Sequence, residues 1–565
     1  AIDDLPAYIA DIDRLLGERH GIECIHYAHA GAGELHLRPL FDLRSAEGLR
    51  LFRAVATDVA DLVKRYRGSL SGEHGDGRLR GEFIRTMVGD ECYRLLEQVK
   101  RLFDPQGILN PGKIIDTPPM DSSLRILTDV TEPRHDTVFR FGDTDGMLRA
   151  AEKCSGVGMC RKPAAAGGTM CPSYMATRDE HDTTRARANL LRQALADPAG
   201  DPWTRPGLAE VMDLCLSCKA CKSECPSNVD MARLKAEWEQ QRHDARGVPW
   251  RTRLVAGTAG ALRAASRLPW AYNLAVTAPG LSHLVKRVLG FAPGRSLPTL
   301  PGERLSRWLR RRTPRPAKPA RGTVHLFVDE FTDTLDATVG RAAVELLEAL
   351  GYEIRLPPHA DSGRAQLSKG LVRAARDLAV HNVTALDPLV TDAAPLVGIE
   401  PSAILSFRDE YPDLVPAALE PAARRLAPRA LLVEEFLARE AAAGRIGPAD
   451  FDAVPRRIAL HGHCHQKALS TLDPAVACLA LPVGHAVSVI PSGCCGMAGS
   501  FGYDRDHFPL SMAIGELVLL PAVRDLPADT LVAAAGTSCR HQIKDGTGRR
   551  ALHPVEILRG ALRPG

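Results

Sequence analysis

The stretch "CLSCKACKSECP" sets Cys215, Cys218, Cys221 and Cys225 at the spacing C-x-x-C-x-x-C-x-x-x-C-P. Loops this short let three thiolates wrap one iron–sulfur cube, while the fourth, held ahead of Pro226, reaches the other cluster of a two-cluster fold. Paired C-x-x-C also binds zinc, but the extra cysteines and the prolines after Cys171 and Cys225 favour iron–sulfur. By the same exchange, Cys171 completes a [4Fe–4S] cluster with Cys215, Cys218 and Cys221. Cys154, Cys160 and Cys225 remain for a second cluster. Its loop "CSGVGMC" carries Val157 where a middle ligand is expected, and the insert "RKPAAAGGTM" has no His, Asp, Glu or Cys. Three thiolates predict a [3Fe–4S] centre, or a [4Fe–4S] centre with a ligand from elsewhere, acting as a one-electron relay.

A separate site is expected in the tail, where Cys464, the doublet Cys494 and Cys495, and Cys539 follow strand ends in an α/β pattern. Loops at one edge of such a sheet converge on ligands, here iron–sulfur or zinc. His461, His463 and His465 crowd "HGHCHQ"; strand alternation would send the three histidines to one face and Cys464 to the other. They read as neighbours of the ligands or as ordinary packing. The tail is itself the second of two similar runs. "TVHLFVDEF" is answered by "RIALHGHCH", "HADSGRAQLSKG" by "GCCGMAGSFG", and "GIEPSAILSF" by "AAGTSCRHQI". Ser362-Gly363 then stands where Cys495-Gly496 stands, and Ala403 where Cys539 stands, so the first copy has lost its ligands and kept its fold.

Near the start, "HYAHAGAGELHLRPLFD" places His29 and His36 on either side of a glycine-containing loop, and "GSLSGEHGDGRLRGEF" adds Glu73 and His74. Two imidazoles and a carboxylate make a three-ligand site with an open position, as a catalytic divalent metal needs. His74, adjacent to Glu73 but pointing elsewhere, is then placed to act as a general base near neutral pH.

The motifs H-A-G-x-G-x-L-H, S-x-E-H-G-x-G and F-D-P-x-G-I-L-N-P-G-K resemble the C-terminal half of the FAD-linked oxidases that oxidise D-2-hydroxy acids. The ferredoxin module, "DEYPDL" and "SGCCGM" are similar to the iron–sulfur half fused to it in large bacterial D-lactate or D-2-hydroxyglutarate dehydrogenases. The resemblance implies His29, His36 and Glu73 as ligands of a divalent metal, zinc foremost, and His74 as base on the substrate hydroxyl. It also implies that the loop around Asn110 lies near the flavin. The implied substrate is a small 2-hydroxy acid, D-lactate first, with a quinone, a cytochrome or a protein as electron acceptor. Ala32 and Glu34 depart from the commoner Asp and Asn, which changes the polarity of the pocket but not the ligands. The chain opens on Ala1 in an amphipathic pattern without an initiator Met and has no glycine-rich pyrophosphate loop. It therefore reads as a fragment that holds FAD only with a preceding half and is inactive by itself. The alternative is an electron-transfer subunit resembling those of anaerobic glycerol-3-phosphate dehydrogenase or heterodisulfide reductase; a third class is a zinc-stabilised interaction protein.

The elements that must position these residues fall into several domains, multidomain α+β and α/β in class. Residues 1–116 form the oxidase part, 140–240 a helical two-cluster ferredoxin domain, 241–320 a basic helical segment with a Pro-rich linker, 321–450 a degenerate cysteine-rich repeat and 451–565 the complete one. A chain of 565 residues with 45% hydrophobic content buries cores for all of them. Fourteen cysteines bunched at C-x-x-C spacings point to metal sites in a reducing compartment rather than to disulfides, so the expected location is cytoplasmic. Cys24, Cys92 and Cys478 read as core thiols. Residues 242–321 hold seventeen Lys or Arg against Asp244 and Glu303, a local charge of about +15. The uncharged "LPWAYNLAVTAPGLSHLV" within them is interrupted by prolines. It reads as a solvated linker, or as an interfacial segment making peripheral contact with the inner face of the cell membrane, ahead of a spanning helix. No nucleic-acid partner is expected.

Overall fold

Alternating side chains over residues 24–39 fold into a hairpin of β1 (Cys24–His29) and β2 (Glu34–Pro39), antiparallel in a register that pairs Tyr27 with His36 and His29 with Glu34. Gly33, at φ 71°, makes the left-handed step in the connecting turn. The computed structural model describes residues 2–126, 128–313 and 321–563. They divide into two units, 1–132 and 133–565.

In the first unit the helix Ala46–Arg65 starts at Ser45, whose side chain accepts a hydrogen bond from the Gly48 amide, and ends on Lys64 and Arg65. Its buried Val55 and Leu62 pack with Ile12, Leu16 and Ile22, and Cys24 and Leu37 lean against the same core. The opposite face of the hairpin is left to Tyr27, His29 and His36. The unit runs past residue 116 to Glu132 because Met120 joins Ala60 and Phe83 in a second small core. Arg53 holds Asp121 through two hydrogen bonds of 2.7 and 2.6 Å.

In the second unit the helices Thr184–Ala196 and Met231–Arg246 are capped by Thr183 and Asp230. Trp238 is wholly buried between them and their neighbours. The basic segment is folded: helices Trp250–Ala256, Thr258–Ala265, Pro269–Thr277, Pro279–Leu289 and Leu305–Arg311 pack rather than forming a solvated linker. Arg295 fixes the segment to the tail, being fully buried, donating to the Gly502 carbonyl at 2.9 Å and pairing with Asp545 at 3.2 Å. Residues 314–320 of the expected Pro-rich linker lie outside the described residues. Among the described residues no helix is long and apolar enough to cross a membrane.

Two four-stranded parallel sheets follow. The first holds β3 (Gly322–Phe327), β4 (Tyr352–Arg355), β5 (Leu396–Gly398) and β6 (Ala430–Leu432) in the order β4-β3-β5-β6. The second holds β7 (Arg456–His461), β8 (His485–Val489), β9 (Leu531–Ala534) and β10 (Ala551–Leu552) in the order β8-β7-β9-β10. Their central strands are apolar and buried, as strands covered on both faces require. Helix Ala337–Ala349 of the first packs on Pro554–Arg559 of the second, and Val433–Ala442 of the first on Asp473–Leu479 of the second. In each contact a helix that follows the first strand of one sheet meets the helix that follows the last strand of the other.

Candidate functional site

The hairpin register decides the first site. Paired residues share a face, and β1 alternates, so His29 and His36 point to one side with Tyr27. Their rings meet edge to face at 5.2 Å, and Tyr27 stacks on His36 at 4.8 Å. The loop bearing Glu73 packs directly on β2; a Cβ at Gly72 would meet the Glu34 carboxylate at 2.5 Å, so glycine permits the approach. Glu73 then sits with its oxygens 3.9 Å from His29 Nε2 and 3.5 Å from His36 Nε2. One ligand atom from each of the three lies within 4.8 Å of the others. Two imidazole nitrogens and one carboxylate oxygen, converging with no fourth ligand in their group among the described residues, are a donor set that suits zinc with an open position. The site opens into a cleft of about 1070 Å³ that is also lined by Arg38, His74 and Arg80.

His74 does not point away from Glu73, contrary to the expectation from its position in the sequence. Its Nε2 lies 2.8 Å from Glu73 Oε1, and the ring is 76% exposed, because a loop residue adjacent to the carboxylate turns back onto it. Asn110 lies on a loop folded by Asp104, which accepts hydrogen bonds from the Ile108 and Leu109 amides at 3.0 and 2.9 Å. Asn110 is exposed and takes a left-handed φ of 49°.

In the ferredoxin region the seven cysteines gather on short loops, and Cys154, Cys160, Cys171, Cys218 and Cys221 are buried. Cys171 donates to Cys160, which holds the Cys160 thiol below its ordinary pKa and Cys171 well above. Cys171 also accepts from the Thr184 amide at 3.0 Å and feels the charge of Cys221. It therefore lies between both expected ligand sets. The loops of Cys154 and Cys225 are tied by a hydrogen bond from Ser227 to Ser155 at 3.2 Å. Val157 is 63% exposed between two left-handed glycines, Gly156 and Gly158, so its side chain faces solvent.

Sequence reasoning missed the ion cluster under this loop. Lys219, between Cys218 and Cys221, is 2% exposed and pairs with Asp409, with Glu410 at 3.1 Å and with Asp230 at 3.6 Å. Asp409 and Glu410 belong to "DEYPDL" of the first repeat. No spacing rule connects them to a lysine far away in the chain.

In the tail, β7 stops at His461 and a helix begins at Cys464, capped by His463. Strand alternation therefore ends before it can separate Cys464 from the histidines, a correction to the expected faces. Cys464 and Cys495 are held below the ordinary thiol pKa by hydrogen bonds from Cys494 and, for Cys495, also from Cys539; Cys494 and Cys539 are raised correspondingly. The four sulfurs thus form one hydrogen-bonded chain in which lowered and raised thiols alternate, and a lowered thiol is the better metal ligand. A ring nitrogen of His461 lies within 4.8 Å of Cys495 Sγ and Cys539 Sγ, all three buried. His465 instead reaches the ferredoxin loop, its Nε2 lying 3.1 Å from the Ser217 carbonyl. A Cβ at Gly493 would meet the Gly168 carbonyl at 2.9 Å. Burial first, and then the charge of Cys464, raises the Cys218 thiol, so the tail site and the ferredoxin cluster loop are neighbours.

Residues 1–114 match the family described as FAD linked oxidases, C-terminal domain, and residues 150–229 match the 4Fe-4S dicluster domain. The chain is 30% identical over 599 residues to the D-2-hydroxyglutarate dehydrogenase of Escherichia coli K12, an alignment covering 98% of this chain and 57% of that protein. The chain thus spans somewhat over half the length of such relatives. One subunit of the anaerobic glycerol-3-phosphate dehydrogenase of the same organism is 25% identical over 292 residues, 51% of this chain and 72% of that subunit. The D-lactate dehydrogenase of Archaeoglobus fulgidus is 37% identical over 113 residues, 20% of this chain and 25% of that enzyme. No solved structure matches.

Proposed function

We propose that the chain serves a flavin- and iron–sulfur-dependent dehydrogenase that oxidises a D-2-hydroxy acid and sends the electrons through its cysteine-held clusters to an external acceptor. The observation carrying this reading is the convergence of His29, His36 and Glu73 in one cleft with Arg38, His74 and Arg80. The three ligands would hold a divalent cation, zinc by donor type, which supplies Lewis acidity for the substrate hydroxyl. His74, close enough to the same carboxylate to share its substrate, is placed to take the hydroxyl proton. The arginines offer charge to carboxylates. FAD, when bound, supplies the two-electron chemistry at C2, with the loop of Asn110 on its side of the site.

Two guanidinium groups in one cleft suit a dicarboxylate better than D-lactate. The name of the relative similar over 98% of the chain agrees with that, so D-2-hydroxyglutarate is favoured as substrate. The test is anaerobic reduction of the enzyme containing this chain by each acid. Prompt bleaching with D-2-hydroxyglutarate and a slower response to D-lactate support the assignment; the reverse order removes it. The second reading, an electron-transfer subunit, draws on the likeness to the glycerol-3-phosphate dehydrogenase subunit but leaves the His29, His36 and Glu73 cluster without a role.

The paired sheets are read as a duplicated cysteine-rich domain, and the tail cysteines as the seat of a further iron–sulfur cluster beside the ferredoxin loop. The basic helices are read as an interfacial contact. Trp250, Leu254, Trp270, Leu274, Leu284 and Val288 are exposed on them beside exposed Arg253, Arg267 and Arg287, the composition of a surface that meets an anionic bilayer.

A further inference from the structure

The two repeats can be compared position by position, because equivalent strands pair in equivalent places. Phe327, the last residue of β3, pairs with Gly398, and His461, the last of β7, pairs with Ala534. Counting onward from each strand end, Glu330 stands where Cys464 stands. Counting from the partner strands, Ala403 stands where Cys539 stands. Gly363 and Gly496 both take left-handed φ, 77° and 91°, which aligns Ser362 with Cys495 and Asp361 with Cys494. The first repeat has therefore replaced each of the four thiols. It has also replaced the histidine, putting Phe327 where His461 stands.

The replacements close the vacated space without a metal. Glu330 accepts from Ser362 Oγ at 2.7 Å and from the Ser362 amide at 2.9 Å. Phe327 packs at 4.6 Å on His359 and edge to face on Phe407 at 5.1 Å. A histidine needed only to cap a strand or fill the core would have had no reason to disappear together with the four sulfurs.

The ring of His461 is also set up as a ligand. It is 1% exposed. Nδ1 lies 2.7 Å from Ser492 Oγ, and that hydroxyl donates onward to the Ile490 carbonyl. With Nδ1 engaged by the Ser492 hydroxyl, Nε2 is the ring nitrogen left to face the cysteines. The remaining ring nitrogen faces the Cys495 sulfur, with which it shares a hydrogen bond, and Cys539 lies beside it. A histidine whose one nitrogen is fixed by a hydrogen bond and whose other faces cysteine sulfurs is oriented as metal-bound histidines are. Lys467 fixes the Ser492 loop in turn, donating to the Ser492 and Gly493 carbonyls at 2.7 and 2.8 Å.

We propose that His461 binds the tail metal centre through Nε2, making it a mixed nitrogen and sulfur site with Cys464, Cys494, Cys495 and Cys539. The proposal rests on the iron–sulfur reading of that centre under Proposed function. Five donors, four of them buried, exceed the four of a tetrahedral zinc site, which favours a cluster with more than one iron. Neutral imidazole in place of a thiolate removes negative charge from the cluster and raises its reduction potential, as it does where histidines replace cysteines on a two-iron centre. The tail centre then holds electrons more tightly than an all-thiolate cluster would in the same place.

The test uses the full chain, purified anaerobically with and without ¹⁵N-histidine. Iron, sulfide and zinc are counted, and pulsed electron paramagnetic resonance of the reduced protein reads nitrogen couplings. The expected result is iron and sulfide beyond the two ferredoxin clusters. A strong histidine nitrogen coupling should change with the isotope and vanish in His461→Ala. His461→Cys is the second variant, which should keep the cluster, lose the coupling and lower its potential. A third cluster without histidine coupling, or with coupling that survives in His461→Cys, overturns the ligand. Zinc in place of the third cluster overturns the iron–sulfur reading instead; X-ray absorption at the zinc edge then decides His461 separately, imidazole scattering supporting it and sulfur-only scattering overturning it.

Discussion

Lys219→Met tests whether the first repeat holds the ferredoxin loop by charge. The substitution keeps the length of the side chain but removes the ammonium buried between Asp409, Glu410 and Asp230. Burial alone would raise the Asp409 and Glu410 carboxyls, yet Lys219, with help from Lys222 and Arg364, leaves both below their ordinary values. Breaking such a buried pair costs about 3–5 kcal/mol. A ceiling comes from protonation: taking a proton at pH 7 onto a carboxyl of ordinary pKa near 4 costs roughly 4 kcal/mol at 1.36 kcal/mol per pKa unit. In the natural protein the depressed carboxyls contribute stability that is full above their unfolded pKa and is lost only as pH falls through the lower folded values. In the variant a carboxyl with a raised folded pKa binds a proton that the opened loop does not. Its stability therefore rises as pH falls, and the deficit shrinks by roughly 2.7 kcal/mol between pH 7 and pH 5. Native-state amide exchange over residues 215–230, corrected for intrinsic rates, measures the opening free energy. A deficit below about 1 kcal/mol with no narrowing toward pH 5 would refute the charge argument.

His36→Ala should release the divalent metal, measured by metal analysis. His74→Ala should keep the metal and lower kcat by roughly 10²-fold, the scale for a lost general base; metal loss in His74→Ala alone would reverse the two roles. Glu330→Ala should destabilise the first repeat by about 1–3 kcal/mol for each buried Ser362 donor left without an acceptor, read by local amide exchange. Val157→Cys should leave the paramagnetic resonance of the second ferredoxin cluster unchanged, since that side chain faces solvent. The chain should bind anionic vesicles and release them as salt rises above about 0.1 M, where screening acts within about 10 Å; equal binding to neutral vesicles would remove the electrostatic contribution.

Where function was carried by spacing, the sequence was legible. Cys215 to Cys225 fall inside the stretch that matches the 4Fe-4S dicluster domain, and the histidines flanking Gly33 met Glu73 because strand alternation and a two-sided hairpin leave little choice. The strand-and-helix pattern after residue 321 pointed to α/β structure, since apolar runs between helical patterns make parallel strands, and two parallel sheets lie there. What stayed hidden depended on distant packing or on where an element stops. Whether His461 and Cys464 share a site turns on a strand ending one residue after Leu460. Nothing in the exposed loop of Val157 distinguishes an outward side chain from a missing ligand. The basic segment reads as solvated by composition, yet Arg295 is buried because Asp545 and the Gly502 carbonyl await it from the tail.

If the paired sheets are a duplicated domain, as proposed, what the first one does without the cysteines is the remaining question. Asp409 and Glu410 give one answer, for they enter the ferredoxin loop and hold the lysine between two cluster cysteines. Arg364, two residues after Ser362, donates to Glu410 at 2.6 Å. Ser362 itself, in the former ligand position, is tied through Tyr411, whose hydroxyl donates to the Ser362 carbonyl at 2.9 Å. The vacated site is thus the anchor of the segment that grips the cluster loop. The second repeat touches that loop from another direction, through His465 on the Ser217 carbonyl and Cys464 beside Cys218. On the proposed reading the first sheet supplies a clamp of ion pairs to the cluster loop and the second a set of metal donors. On that division of labour, restoring thiols in the first repeat should not recover a metal site unless Phe327 also becomes histidine, and it should loosen the cluster loop by removing Glu330 from Ser362.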